Sequence, residues 1–321
     1  MKKLGIDNFI IGIGLMVCLA YFFPEVAEIE DPISLEQLAS FGVSFIFFFY
    51  GLKLDFQKLK KDLSNWKMHV LIQASTFMLF PILILITYPL FYHTTFDELW
   101  LGIFYLAAIP STVSSSVVMV SIAKGNVTSA IFNASISSLI GLIATPLWIN
   151  IFIAGETGGF DVSEVMIKLL IQVIIPVTLG ISFNKIGISW AEKHKNKLKL
   201  FDQSIILTII YCSFSKSFSE NIFQHISLFV IIALLAGLLS FFILFMYLLF
   251  TISKKLKFNR EDSITVMFCG SKKSLVHGTV FSKILFPNTP ILGILLLPLM
   301  IYHAMQLIAI SFIAQKLAKQ V

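Results

Sequence analysis

The chain is short of charge. Only 13% of its 321 residues are Asp, Glu, Lys or Arg, while 57% are hydrophobic, against a charged share of about a quarter in an ordinary soluble domain. One soluble core cannot bury that much apolar surface. Acidic side chains are absent from the interior of every long apolar run: all eighteen Asp and Glu lie in loops or near the ends of such runs. Cysteine is scarce too. Cys18, Cys212 and Cys269 are far apart, lie within or at the edges of apolar stretches and lack metal-ligand spacing, so they read as small buried residues. No nucleophile–base pair or metal spacing occurs in a loop, which argues against an enzyme. The first apolar run follows Met1-Lys2-Lys3 and is followed by Phe22-Phe23-Pro24-Glu25 rather than a small-residue cleavage pattern, so it reads as a retained helix.

What is present is a series of runs long enough to cross a ~30 Å hydrocarbon core. Ten candidate spans cover roughly 6–23, 35–53, 67–92, 97–123, 125–152, 163–183, 201–219, 226–252, 262–285 and 289–314. The connections alternate in charge. Glu25, Glu28, Glu30, Asp31 and Glu36 follow the first span; Lys53, Lys58, Lys60, Lys61 and Lys67 follow the second. Asp97 and Glu98, then Glu156, Asp161 and Glu164, mark later acidic connections; Lys185 to Lys199 and Lys254 to Arg260 mark basic ones. Basic loops stay cytoplasmic. Both termini are therefore expected inside, in an inner or plasma membrane. The net charge of +6 is explained by topology and by contact with anionic lipid, and it calls for no nucleic-acid partner. Ten spans divide into five plus five, 1–160 and 161–321. Five is odd, so two related halves would be inverted repeats.

Two polar interruptions stand in corresponding spans of those halves: Pro110-Ser111-Thr112-Val113-Ser114-Ser115-Ser116 and Gly270-Ser271-Lys272-Lys273-Ser274. Non-helical backbone at membrane depth survives only inside protein or along a wet cavity, and paired breaks of this kind point to a transporter's binding site. Proline removes one helix hydrogen bond and clashes with the preceding turn; the hydroxyls can cap a new helix near Ser115. The bland alternative is a proline kink with serines packed against a neighbour. Lys272 and Lys273 lie about ten residues from either end of their span, ~15 Å from each interface. Such charges face a cavity or a partner, and no carboxylate is available at that depth. Hydroxyls, helix carbonyls or a bound anion remain, and two half-helix N-termini meeting there favour an anion. Helical geometry is expected to be lost around Val113–Ser115 and Ser271–Lys273, with the two segments meeting near the bilayer centre. Asn133 and Ser137, four residues apart, share a face of the fifth span. His277 and His303 are the histidines well inside spans. The candidate binding residues are Ser114, Ser115, Ser116, Asn133, Ser137, Ser271, Lys272, Lys273, Ser274 and His303.

The first interruption, with Lys124-Gly125-Asn126-Val127 and Thr145-Pro146, and the second, with Leu275-Val276 and Lys283-Ile-Leu-Phe-Pro287, resemble the bile acid–sodium symporter (SBF-like) family. The second is similar to its divergent branch of bacterial proteins and the seventh member of the vertebrate bile-acid carrier family. The resemblance covers the whole chain. It implies an all-α polytopic membrane protein of ten helices in two inverted five-helix repeats, with discontinuous helices four and nine that cross. It also implies a core domain from spans 67–152 and 226–314 and a panel domain from spans 6–53 and 163–219. The chain departs from the family pattern at the crossing. Ser116 and Val117 stand where bile-acid transporters have an asparagine, Phe268 stands where they have an acidic cation ligand, and Lys272 stands where an amide follows.

Three functional classes follow. The first is a secondary transporter of an organic anion by alternating access, with a lysine in the space of a sodium ion and a proton as coupling ion. Bile acid, sulfonate, carboxylate or a lipid-derived anion all fit. The second keeps sodium, held by Ser115, Ser116, Asn133 and Ser137 with Ser114 and backbone carbonyls. The third is a membrane regulator that transports nothing. A sodium–proton antiporter is disfavoured by the missing mid-membrane aspartates. No cofactor is expected beyond Na+ or H+ as coupling ion. The expected partners are the lipid bilayer and the small anion, and oligomeric state is open.

Overall fold

The computed structural model describes residues 8–29, 33–53, 65–112, 114–156, 167, 170–287 and 289–319. Regular structure among them is entirely helical, as long apolar runs require when lipid offers the backbone no partner. The α-helices are α1 (Asn8–Phe22), α2 (Leu35–Leu52), α3 (Trp66–Ala74), α4 (Phe80–Leu85), α5 (Asp97–Ala108), α6 (Ser114–Ile122), α7 (Val127–Glu156), α8 (Ile175–Ser182), α9 (Asn184–Lys193), α10 (Lys195–Ser219), α11 (Leu228–Lys255), α12 (Arg260–Ser271), α13 (Leu275–Leu285) and α14 (Leu292–Ala318). Among the described residues, six stretches are by themselves long and apolar enough to cross a membrane: Leu35–Leu52, Trp66–Leu90, Val127–Ile151, Lys195–Ser219, Leu228–Lys255 and Leu292–Ala318. A bent pair, Ile171–Ser182 with Asn184–Lys193, makes a seventh if taken as one span. The chain is an integral membrane protein.

Two local features arise from proline chemistry. Ser75–Leu79 forms a π-helical turn between α3 and α4, in which the Phe80 N–H reaches back to the Ser75 carbonyl instead of Thr76. Pro81 has no N–H, so Phe77 also loses its helical donor. Thr76 and Phe77 thus offer free carbonyls inside the membrane, and Trp148 of α7 donates Nε1–H to the Phe77 carbonyl at 2.7 Å. Pro110 acts in the same way after α5, where the chain leaves helical geometry at Ile109.

The interruptions fall close to their expected places, with shifted edges. Residues 109–112 are non-helical and α6 already begins at Ser114; Val113 lies outside the described residues. In the second half α12 still includes Ser271, and Lys272–Ser274 is the extended break. Ser274 caps α13 by accepting the His277 N–H at 3.3 Å, and this cap sets the C-terminal edge of the break. A second difference lies between the sixth and seventh expected spans. The basic connection is not a loop: α9 occupies Asn184–Lys193, and α10 starts at Lys195 rather than 201.

α2 packs on α8 and α10, and α1 on α10; α14 packs on α5, α6, α11 and α13, α12 on α3, α7 and α11, and α10 also packs on α13 and α14. The α2–α8 approach is backbone to backbone. A Cβ at Gly180 would overlap the Phe48 carbonyl, and one at Gly51 the Val177 carbonyl, so glycine lets the two helices touch. Gly180→Val is expected to cost about 1–3 kcal/mol through overpacking, read as an earlier thermal unfolding of the purified protein. Gly237→Ala in α11, where nothing lies within 4 Å of the added atom, should leave the midpoint unchanged or raise it. Equal effects would contradict this account of the contact.

Candidate functional site

The two breaks meet. Ser274 donates its N–H to the Pro110 carbonyl at 2.9 Å. Ser111 donates its hydroxyl to the Cys269 carbonyl at 2.8 Å and its N–H to Ser137 Oγ at 3.0 Å. Thr145 of α7 donates to the Ala108 carbonyl at 2.9 Å. Tyr302 of α14 donates to the Ser271 carbonyl at 2.7 Å, and Tyr105 of α5 to the Gly278 carbonyl. Gln306 of α14 clamps Lys273 from both sides: its Oε1 accepts the Lys273 N–H at 3.1 Å and its Nε2 donates to the Lys273 carbonyl at 2.8 Å. Backbone freed by unwinding is thus re-satisfied by side chains, as burial demands.

The adjacent lysines do different work. Both are fully buried. Lys273 Nζ donates to the carbonyls of Thr76 at 2.8 Å, Ala107 at 2.6 Å and Ile109 at 3.0 Å, and it lies 4.5 Å from the centroid of the Phe80 ring. An ammonium has three N–H donors, so Lys273 is saturated. Its acceptors are the carbonyl freed by the π turn and two carbonyls at the negative end of α5. Lys272 Nζ donates to Ser115 Oγ at 2.6 Å. Ser115 Oγ lies 3.2 Å from Thr112 Oγ1. Among the described residues no ion pair joins either lysine to a carboxylate.

A cavity of about 410 Å3 leads to this crossing. Its buried end is formed by Thr112 and Ser274 beside His277, and its walls by Ile46, Phe47, Val276 and Val280. Its exposed end carries Lys53, Lys195, Lys199 and Asp202, with Lys53 and Asp202 paired at 3.7 Å. At the opposite end of α2, Glu36 pairs with Lys283 at 3.2 Å; nearer the cavity, Phe47 stacks on Phe281 with centroids 5.8 Å apart.

The expected site residues distribute as follows. Ser115, Ser137, Ser271, Lys272, Lys273 and Ser274 come together at the crossing through the contacts above. Ser271 spends its hydroxyl on the Met267 carbonyl at 2.7 Å. Ser116 Oγ is buried with no hydrogen-bond partner among the described residues. Ser114 opens α6, and its side chain lies outside the described ones. Asn133 joins a separate group: its Nδ2 lies 2.8 Å from His69 Nδ1, and its Oδ1 accepts from Gln73 at 3.1 Å. His303 Nδ1 lies 3.3 Å from Nε2 of Gln306, the residue that clamps Lys273. Thr112, Tyr105, Tyr302 and Gln306 were not among the expected residues. Gln306 had a signal, an amide inside an apolar span one turn after His303. The carbonyls of Thr76, Ala107 and Ile109 had none beyond Pro81 and Pro110.

Lys273→Met would leave three buried carbonyls without donors and should cost roughly 3 kcal/mol or more. Lys272→Met removes one hydroxyl contact and should cost about 1 kcal/mol. Thermal unfolding of the two purified variants measures the contrast; a Lys272 variant as unstable as the Lys273 variant would refute the division of roles.

A family model described as the SBF-like CPA transporter family matches residues 7–319. An uncharacterized protein of Pseudomonas aeruginosa is 34% identical over 98% of this chain and 93% of its own length. The putative symporter YfeH of Escherichia coli is 33% identical over 98% of this chain and 94% of its own. The sodium/bile acid cotransporter 7 of Rattus norvegicus is 31% identical over 96% of this chain and 91% of its own. With a broken-span crossing, a cavity that ends on it and a match along nearly its whole length, the chain belongs to the SBF-like CPA transporter family.

Proposed function

We propose that this family member is a secondary active transporter that carries a small organic anion by alternating access, with protons rather than sodium as the coupling ion. The observation that carries the reading is the cavity of about 410 Å3, which runs from exposed lysines to both broken spans. Positive charge at its mouth raises the local concentration of anions. The N-termini of α6 and α13 face its buried end and favour the same sign. The apolar walls suit an anion with a hydrocarbon body.

In this reading ten spans cross the membrane as two inverted repeats, 1–160 and 161–321, with both termini cytoplasmic. Spans 67–152 and 226–314 form a core, and spans 6–53 and 163–219 a panel. The cavity lies between α2 and α10 of the panel and the crossing of the core, and the Glu36–Lys283 pair seals its other side. Rocking the core against the panel would open that seal and close the lysine-rich mouth, moving the same site across the bilayer.

Three of the four candidate sodium ligands are already engaged, which counts against a sodium ion: Ser115 Oγ by Lys272, Ser137 Oγ by the Ser111 N–H, and Asn133 by His69 and Gln73; Ser116 Oγ alone has no partner among the described residues. The three-carbonyl nest that would suit a cation holds the Lys273 ammonium. Lys272 has a lighter set of contacts and two hydroxyls, Ser115 and Thr112, between it and the cavity. Lys272 Nζ gives a proton to Ser115 Oγ as Ser115 gives its own to Thr112 Oγ1 and Thr112 gives its own to a water or anion in the cavity, which leaves Lys272 a neutral amine and both hydroxyls intact. An anion in the cavity favours the protonated lysine, and the two then move together. The similarity to the rat sodium/bile acid cotransporter 7 favours a second reading, sodium-coupled symport.

Proteoliposomes carrying a trapped pH dye, challenged with a panel of sulfonates, carboxylates and bile salts, test the proposal. An accepted anion should drive proton entry without added sodium. Lys272→Gln and Thr112→Val should reduce that flux by at least about tenfold, as loss of a positioned proton carrier does. Lys53→Gln and Lys195→Gln should weaken anion binding about fivefold each at low salt, and less at high salt. Undiminished proton flux in the Lys272 variant would refute proton coupling through it.

A further inference from the structure

Helix α9 has no role in the cavity mechanism, yet its surface is sharply divided. It follows Ile171–Ser182 at an angle of 95°, so a membrane-crossing α8 leaves α9 running along the membrane plane. One face is packed: Asn184 donates to the Leu52 carbonyl at 2.8 Å, and Ala191 is buried with Leu52 and Leu198. A second face is apolar and open. Phe183, Ile186 and Trp190, at helical spacing, are 54%, 84% and 49% exposed. The third face carries Lys185, Ser189 and Lys193, all exposed. Lys195 and Lys197 follow at once and are exposed as well. Glu192 is the one acidic residue from Asn184 to Lys199, against five lysines.

A short amphipathic helix with Trp and Ile on one side and lysines on the other lies in the interface of a bilayer, its apolar stripe at the acyl boundary. The lysines then stand at headgroup depth, within a Debye length of surface charge. We propose that α9 and the lysines that follow it form a docking face for anionic lipid headgroups, with Phe183, Ile186 and Trp190 as the buried anchor and Lys185, Lys193, Lys195 and Lys197 as the headgroup contacts. Lys195 also lines the cavity mouth, so bound lipid sits beside the transport path. The proposal depends on the chain being embedded in a membrane and not on what it carries.

The full-length protein is reconstituted into phosphatidylcholine vesicles containing either brominated phosphatidylglycerol or the same fraction of brominated phosphatidylcholine. Tryptophan quenching is then measured for wild type and Trp190→Phe. The difference between them isolates Trp190 from Trp66, Trp100 and Trp148. Quenching of Trp190 should be about two-fold stronger with the anionic lipid. The excess should vanish in the combined Lys193→Gln, Lys195→Gln, Lys197→Gln variant. It should also shrink in the wild type at high salt, a measurement independent of whether any variant folds. Equal quenching by the two lipids would overturn the proposal, since an apolar stripe alone has no headgroup preference. An excess that survives lysine replacement or high salt would overturn it as well, and so would a Trp190 that neither lipid quenches.

Discussion

The ammonium of Lys273 is the contact on which the crossing depends. Unwinding a helix inside a bilayer strands carbonyls, and each stranded carbonyl costs free energy. Three of them, from Thr76, Ala107 and Ile109, converge on one Nζ. They come from two different chain segments, and the lysine comes from a third. Removing the ammonium would therefore loosen the π turn of one helix, the broken end of a second and the break that carries the lysine. A side chain that is itself costly to bury is offset by partners that would be costly to leave alone.

That arrangement leaves its neighbour with a different set of contacts. Lys272 contacts a hydroxyl rather than a ring of carbonyls, and that hydroxyl leads through Thr112 to the cavity. Two adjacent lysines in an extended segment point away from each other. One turns into the protein to hold the break, and the other turns toward the first interruption. A continuous helix would separate them by only ~100° and could not give them such different surroundings. Lys273 also bears on the proposed coupling, because its Nζ fills the carbonyl nest that would otherwise suit a cation.

Much of this was legible in the sequence, for a physical reason. Lipid permits helices and little else, so apolar length located the six helices that are long enough by themselves to cross a membrane, and Pro110 and Gly270-Ser-Lys-Lys-Ser located the breaks. The lack of mid-membrane carboxylates already left the lysines hydroxyls, helix carbonyls or a bound anion as partners, and a hydroxyl of the first break, Ser115, receives Lys272. The sequence was silent on the carbonyls that define Lys273, because every residue has one and only the fold selects which go unpaired. Asn133 and Ser137 do share a face, as their spacing requires. That face spans two neighbours, however, so Ser137 meets the crossing while Asn133 meets His69 and Gln73 a turn away. The basic stretch before α10 looks like a loop in the sequence because its lysines also serve as topological markers. Phe183, Ile186 and Trp190, at helical spacing, were the signal of α9.

The central claim is that a lysine ammonium serves in this protein as the fixed cation at the crossing, in place of a bound metal ion. Equilibrium binding of radioactive sodium to the purified wild-type protein tests it most directly. The account predicts no saturable sodium binding at any concentration up to physiological levels, whether or not a transported anion is present. Saturable, stoichiometric binding of sodium to the wild-type chain would contradict it.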